Sequence, residues 1–420
     1  MSTFTTLPTP HPAPPGKLGT PRRNADLRSG ANRMPPVNEP GRRPAFLLTL
    51  LAILAVAALP LCAAEKATSA KAKRPLVQIA ILLDTSGSME GLIEQAKSQL
   101  WKISNEFIKA RQEGIAPEVQ VALYEYGKSS LTKESGWIRQ IQPLTTDLDK
   151  VSEELFALRT NGGEEYCGWV IQRAVADLAW SPDSDAYKVI FIAGNEPFTQ
   201  GPVNYAESCK AAITKGIIVN TIHCGNEAQG VNTKWKDGAE LADGKYLVID
   251  QNRAVVSVQA PQDPEIARLG VELNKTYLAF GRAGGESLKR QSLQDANAAT
   301  LAPASGAVVQ RSLAKASVNY VNSSWDLVDA AKAKEFEITK LKEEELPAEM
   351  KKMSAEERKA YIEKNAKERA QLQQQINQLN SEREKFVAQR MKETAGTNTL
   401  DAVVISAIHE QSAKRNFIFK

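Results

Sequence analysis

The sequence predicts an α/β protein: a doubly wound, mostly parallel sheet followed by an α-helical C-terminal extension. Three observations predict it. Residues 77–83 are apolar except for Gln78, the pattern of a parallel strand covered on both faces. Strand-like and helix-like segments then alternate through residue 252, as strand–helix–strand units require. Beyond that point the strand signals fade and a charged, helix-forming composition takes over, above all in residues 331–394.

Taken in order, residues 1–41 are rich in Pro, Arg and Asn, lack periodic apolar positions and are expected to be disordered. Residues 42–64 open with Arg42 and Arg43 and continue as an apolar stretch that ends in Cys62, Ala63 and Ala64 before Glu65. This is the pattern of a secretory signal peptide cleaved after Ala64, and its length also just suffices for an uncleaved anchor in the membrane. Pro60 favours cleavage, and Met34 as the start would leave a signal peptide of ordinary length. The expectation is an exported chain, periplasmic, cell-surface or secreted.

A globular domain is expected over residues 73–252. The strand at 77–83 leads into an amphipathic helix at 89–112, with Ile93, Ala96, Leu100, Ile103 and Phe107 at helical spacing. Strand signals follow at 119–126 and 137–141, the second reading as an antiparallel edge because only a short hairpin-like connection separates it from the first. Helices are expected at 148–158 and 166–178, a strand at 187–193, a helix at 205–215, a strand at 217–223, a helix at 235–241 and a strand at 246–250.

Residues 253–330 are rich in Ala, Gln and Asn and predict helical pieces packed loosely on the domain. In the next segment Ser354 and Glu357 form a capping box that should open a long helix, with Leu372, Ile376, Leu379 and Phe386 as its apolar stripe. That helix is either a short coiled coil for self-association or a surface helix folded back on its own chain. Arg369 and Arg383 interrupt the stripe and favour the second. Residues 395–420 carry Val403, Val404, Ile408, Phe417 and Phe419, enough apolar surface to dock.

With 420 residues, 24% charged and a net charge of +4, the chain shows no concentrated basic face and gives no support to nucleic-acid binding. In an oxidising compartment the three cysteines after the apolar stretch would make one disulfide, with Cys209 and Cys224 as the expected pair and Cys167 left over. A zinc site is not expected, since His223 is the only nearby histidine and no paired-cysteine spacing exists. His223 itself reads as a structural histidine with its hydrogen bonds satisfied, and Trp101 and Trp169 as packing residues.

The most informative motif is Asp84-Thr85-Ser86-Gly87-Ser88, where the first strand ends and the first helix begins. One carboxylate and two hydroxyls converge on a point beyond the carboxyl end of a central strand, where ligand sites of such sheets lie. Hard oxygen donors of this kind suit a small divalent cation. The same residues also serve as ordinary turn and helix-capping residues.

The pattern DxSxS after an apolar strand resembles the metal-ion-dependent adhesion site of von Willebrand factor A domains, and the resemblance covers about two-fifths of the chain. It implies a magnesium ion, or calcium or manganese, held by Asp84, Ser86 and Ser88, with the shell completed by an acidic side chain of a protein partner. It also implies a threonine from a second loop and an aspartate from a third, and here the sequence departs. The second loop, residues 160–165, offers Thr160 or Glu164, and Glu164 or Glu165 could supply charge. The third loop has Gly194 at the aspartate position, leaving the Asn195 amide as donor.

The implied function is a non-enzymatic exported binding protein. One alternative is a scaffold that self-associates through the charged helix. A remote one is a phosphohydrolase with Asp84 as nucleophile, disfavoured because Ser86 stands where that chemistry needs a second aspartate. No GxSxG elbow and no GxxxxGK[ST] loop is present.

Overall fold

The computed structural model describes residues 74–252, 257–393 and 400–419. The expected signal segment, the region before it and residues 394–399 lie outside them. No helix among the described residues is long and apolar enough to cross a membrane.

Strand β1, Leu76–Asp84, is the centre of a six-stranded sheet. Its alternate side chains feed two cores. Val77, Ile79 and Leu83 enter one, Ala80 and Leu82 the other, which is why the run is apolar on both faces; its one polar member, Gln78, is buried and accepts the Ser181 N–H at 2.8 Å. Helix α1, Glu90–Lys109, buries Leu92, Ile93, Ala96, Leu100, Trp101 and Phe107 on the first face. It stops short of the expected end because Ala110–Arg111 straighten into a two-residue strand, β2.

β3, Glu118–Tyr126, pairs parallel with β1, and β4, Ile138–Thr145, runs antiparallel on its outer side, as the short connection predicts. Helix α2, Leu148–Ala157, starts where the Asp147 side chain accepts the Lys150 N–H at 3.0 Å. Helix α3, Cys167–Asp177, precedes β5, Tyr187–Gly194, which pairs parallel with β1. Helix α4, Tyr205–Thr214, is capped by Asn204, and β6, Ile217–Cys224, follows. A helix that the sequence reading missed, α5 at Glu227–Asn232, begins at the Asn226 cap; its polar composition and single glycine hide it. Helix α6, Trp235–Glu240, and strand β7, Tyr246–Ile249, end the sheet, whose order is β4-β3-β1-β5-β6-β7 with β4 the only antiparallel member.

Five helices come next: α7 at Asp263–Asn274, α8 at Gly284–Thr300, α9 at Ala307–Ala316, α10 at Leu327–Ala330 and α11 at Ala355–Glu393. The expected capping box is present, with Ser354 N–H on the Glu357 carboxylate at 2.7 Å and Glu357 N–H on the Ser354 hydroxyl at 3.2 Å. Ile376 is fully buried in the extension's own core with Leu372 and Leu379 beside it, so this part of the apolar stripe of α11 is packed within the chain, while Phe386 lies under the Arg390 guanidinium at 5.6 Å. Arg369 and Arg383 turn inward. Arg369 meets Asp326 at 2.6 Å and the Thr276 carbonyl at 2.6 Å, and Arg383 meets Asp263 at 2.7 Å.

The expectation of loose packing over 253–330 is corrected by the same kind of contact. Arg311 of α9 is buried between Asp149 of α2 and Asp295 of α8, and its guanidinium lies 4.4 Å from the Trp101 ring. Lys315 adds a bond of 2.6 Å to Asp295.

Helix α12, Leu400–Ala413, and strand β8, Ile418–Phe419, then return to the sheet. Leu400, Val404, Ala407, Ile408 and Phe417 enter the same core as α1 and β1, β8 pairs antiparallel with β2, and Gln411 accepts from Tyr187 Oη at 2.9 Å. The last helical layer over one face of the sheet therefore comes from the C-terminal end of the chain.

The expected disulfide is corrected too. Cys167, Cys209 and Cys224 are all free and buried. Cys209 lies on α4 in the core of one sheet face, whereas the side chain of Cys224 enters the core of the other, so the sheet stands between them.

Candidate metal centre

Asp84 is the last residue of β1, opposite Tyr126 of β3 and one position beyond the Leu83–Ala193 pair with β5, so its carboxylate sits at the carboxyl end of three parallel strands. Its Oδ1 accepts the Ser86 N–H at 2.7 Å, which folds the turn back on itself. Thr85 points inward and donates to the Tyr126 carbonyl at 3.2 Å. Alternation then turns the two serines the other way, with their hydroxyl oxygens 3.3 Å apart. The Asn195 amide donates to the Ser88 hydroxyl at 3.2 Å. Of the six sequence candidates the structure thus brings together Asp84, Ser86, Ser88 and Asn195.

Thr160 lines a groove with Glu90, Lys97 and Arg159, and Glu164 is exposed. The neighbouring Glu165 is the one turned in: it is 6% exposed, and its carboxyl is pushed up to about 7, mainly by burial and then by Glu196, with a bond to Ser86 opposing the shift. Sequence reasoning weighed Glu165 only as a source of charge. The paired glycines explain the register, because a Cβ at Gly163 would lie 2.2 Å from the Gly127 carbonyl oxygen, which fixes the loop before Glu165.

Two further glycines close on the carboxylate. A Cβ at Gly127, where φ is +80°, would lie 2.9 Å from both Asp84 Oδ1 and Glu165 Cγ. At Gly194 a Cβ would lie 2.6 Å from Tyr126 Oη and 3.0 Å from Asp84 Oδ2. Tyr126 therefore fills the space a third-loop side chain would need, its hydroxyl donating to the Ala193 carbonyl at 3.0 Å. Nothing in the third loop itself signals this substitution; its cause is a tyrosine on a different strand.

Asp84 is fully buried, and burial, with repulsion from Glu165 and Glu196, pushes its carboxyl up to about 8. Its Oδ2 and the Asn195 Oδ1 are buried with no hydrogen-bond partner. Such orphaned acceptors are costly. The set is all oxygen, as a small hard cation requires. No group of three or more His, Cys, Asp or Glu residues suited to a metal occurs among the described residues, so a site here depends on hydroxyl and amide oxygens as well as carboxylates.

The remaining rim residues are structural. Phe198 is fully buried against Trp235 and Tyr205, and Tyr205 donates to Asp237 at 2.6 Å. His223 packs 5.7 Å from the Trp235 ring with both ring nitrogens buried and unpartnered, so it is a packing residue but not the hydrogen-bonded one expected. Burial holds its pKa below the usual histidine value.

No family model matches the chain, and no curated protein does. Among solved structures it is similar to BatB from Bacteroides thetaiotaomicron, with 17% identity, 41% of this chain and 90% of that one covered, and a TM-score of 0.32. The SpRpn10 VWA domain is similar at 20% identity, with 41% and 87% covered and a TM-score of 0.32. Proximal thread matrix protein 1 from the mussel byssus, a structure with a zinc-occupied MIDAS motif, shares 13% identity over 42% of each chain at a TM-score of 0.32. Assignment of the fold rests on the strand order, the single antiparallel edge and the turn after β1, and not on these scores. By that topology residues 76–249 have the von Willebrand factor A fold.

Proposed function

We propose that this chain is a non-enzymatic binding protein that engages an acidic side chain of a protein partner through a divalent cation held by Asp84, Ser86, Ser88 and Glu165, with Asn195 beside them. One observation carries the reading: the buried Asp84 carboxyl has an oxygen with no donor and a proton affinity raised to about 8, so its ionised form would stand uncompensated where four other oxygen groups gather. Magnesium, manganese or calcium would supply the missing charge, while the domain's own residues fix the donors and leave one side open to the partner. Phosphoryl transfer through Asp84 is not favoured, because Ser86 stands where that chemistry needs a second carboxylate as acid and base.

Export is part of the proposal and is supported by the apolar residues 45–64 behind Arg42 and Arg43. Self-association through α11 has no supporting observation, since most of its stripe is packed internally.

Isothermal titration of residues 65–420 with MgCl2, MnCl2 and CaCl2 tests the proposal. One site per chain is expected, lost in Asp84→Ala and weakened in Glu165→Gln. Absence of binding by all three ions, or binding that survives Asp84→Ala, would remove the metal-dependent reading and leave the fold.

A further inference from the structure

His223 is 0% exposed, and neither of its ring nitrogens has a hydrogen-bond partner. Polar atoms left bare in a core cost free energy, and an imidazolium there would cost far more. The cover over the ring is thin. Helix α5 has six residues and buries only Gly230, where a Cβ would lie 2.8 Å from the imidazole and 2.1 Å from Tyr246 Oη. The turn before it is as close, since a Cβ at Gly225 would lie 3.0 Å from His223 Nε2.

Among the described residues no charged side chain bonds the ring. On the elements around it Lys236 is paired with Glu240 at 3.7 Å, Lys245 with Glu410 at 2.6 Å, Asp237 accepts from Tyr205 at 2.6 Å, and Asp250 accepts the Asn252 N–H at 3.0 Å. Glu196, Glu227 and Lys234 are the other charged residues there. Cys209 and Tyr246, the titratable groups of the same core, are kept neutral by burial. Nothing on these elements is placed to neutralise a proton on His223.

Trp235 joins this ring to the third loop of the candidate centre. Its ring lies 5.7 Å from the imidazole on one side and 4.9 Å from the Phe198 ring on the other. Its indole N–H donates to the Glu196 carbonyl at 2.8 Å, and the Phe198 N–H donates to the Thr233 carbonyl at 2.9 Å. The layer that seals His223 therefore also holds Glu196, next to the Asn195 that donates to Ser88.

We infer that His223 is an acid-sensitive catch: protonation of its ring drives α5 and α6 open, brings the imidazolium to water and loosens the third loop. The opening stands on the fold alone, whereas its consequence for an ion rests on the proposed function above. Burial holds the folded ring below its ordinary value of 6.5. Stability is thus intact above pH 6.5 and is lost as pH falls from there toward the lowered value, by up to about tenfold per pH unit in the opening constant. Two helices of six residues each are the part that yields, being held by few buried side chains.

Hydrogen exchange of residues 65–420, read by mass spectrometry at pH 7, 6 and 5 and corrected for intrinsic rates, tests the catch against His223→Leu and His223→Gln, which do not titrate. In the wild type, protection over residues 226–240 is expected to fall by up to about tenfold per pH unit below 6.5 while residues 77–83 keep theirs. Both variants should hold their protection, and the glutamine variant serves if leucine prevents folding. The ratio of magnesium affinities, wild type over His223→Gln, should be near one at pH 7 and fall severalfold at pH 5; Asp84 and Glu165 titrate in both proteins and cancel. A pH response shared by wild type and variants overturns the inference, as does one that reaches residues 77–83 equally. Local opening with an unchanged magnesium ratio overturns the link to the third loop. Local opening in a protein that binds no ion at any pH removes the proposed function instead and leaves the catch standing.

Discussion

Two fully buried aspartates in this chain have opposite surroundings. Asp326, in the extension, accepts from the Leu278 and Asp329 N–H groups at 2.8 and 3.0 Å and from Arg369 through both oxygens, at 2.6 and 3.1 Å. Asp84, at the top of the sheet, accepts the Ser86 N–H at 2.7 Å on one oxygen and nothing on the other. Both are 0% exposed. A buried carboxylate held by a guanidinium and two backbone amides is a structural fastening. One left with a bare oxygen, among other carboxyls and hydroxyls, is a cost to the fold unless a cation completes it. The contrast separates the region that holds the molecule together from the region proposed to bind.

The fastening side should break hardest. Arg311 joins α9 to α2 and α8, so Arg311→Ala leaves Asp149 buried with its charge uncompensated and should cost about 3–5 kcal/mol in urea denaturation. The double variant Arg311→Met with Asp149→Leu should recover much of that loss, since the expensive element is the unpaired charge. A loss near zero for Arg311→Ala would mean that the extension is not locked to the sheet through this network.

On the binding side Gly194→Ala should cost about 1–3 kcal/mol, because its Cβ meets the Tyr126 hydroxyl at 2.6 Å. Combining it with Tyr126→Phe should restore part of the stability. If the single variant is neutral, the account of why the third loop lacks a carboxylate fails.

How much of this the sequence carried differs between the two regions. The sheet was legible because residues 77–83 and 187–193 are apolar on both faces apart from Gln78 and Lys188 near their starts, the pattern of a covered strand. The clustering of Asp84, Ser86 and Ser88 was legible because the three fall within five contiguous residues at a strand end. Glu165 was confused with Glu164, as a loop has no period to say which of two adjacent side chains turns inward. Tyr126 was invisible as a substitute for a third-loop ligand, because the exchange crosses between strands 68 residues apart, from 126 to 194. Arg369 and Arg383 looked like flaws in an apolar stripe for the same reason: their partners, Asp326 and Asp263, lie in other helices. The Cys209–Cys224 pairing failed because spacing along the chain does not say which face of a sheet a thiol enters.

The central claim is that a divalent cation compensates Asp84, and its most direct measurement is thermal unfolding across pH with and without MgCl2. The folded-state carboxyl titrates near 8, above its ordinary value of 3.8, so without metal it favours folding below about pH 4 and that contribution is lost as pH rises toward 8. Without metal the wild type should therefore lose stability relative to Asp84→Asn, by no more than about 4 kcal/mol between pH 4 and 7. Magnesium should restore the wild type increasingly as pH rises, by about 2.7 kcal/mol at a hundredfold excess over its dissociation constant, and should leave Asp84→Asn nearly unmoved. Equal magnesium effects on the two proteins, or none on either at any pH, would contradict the account.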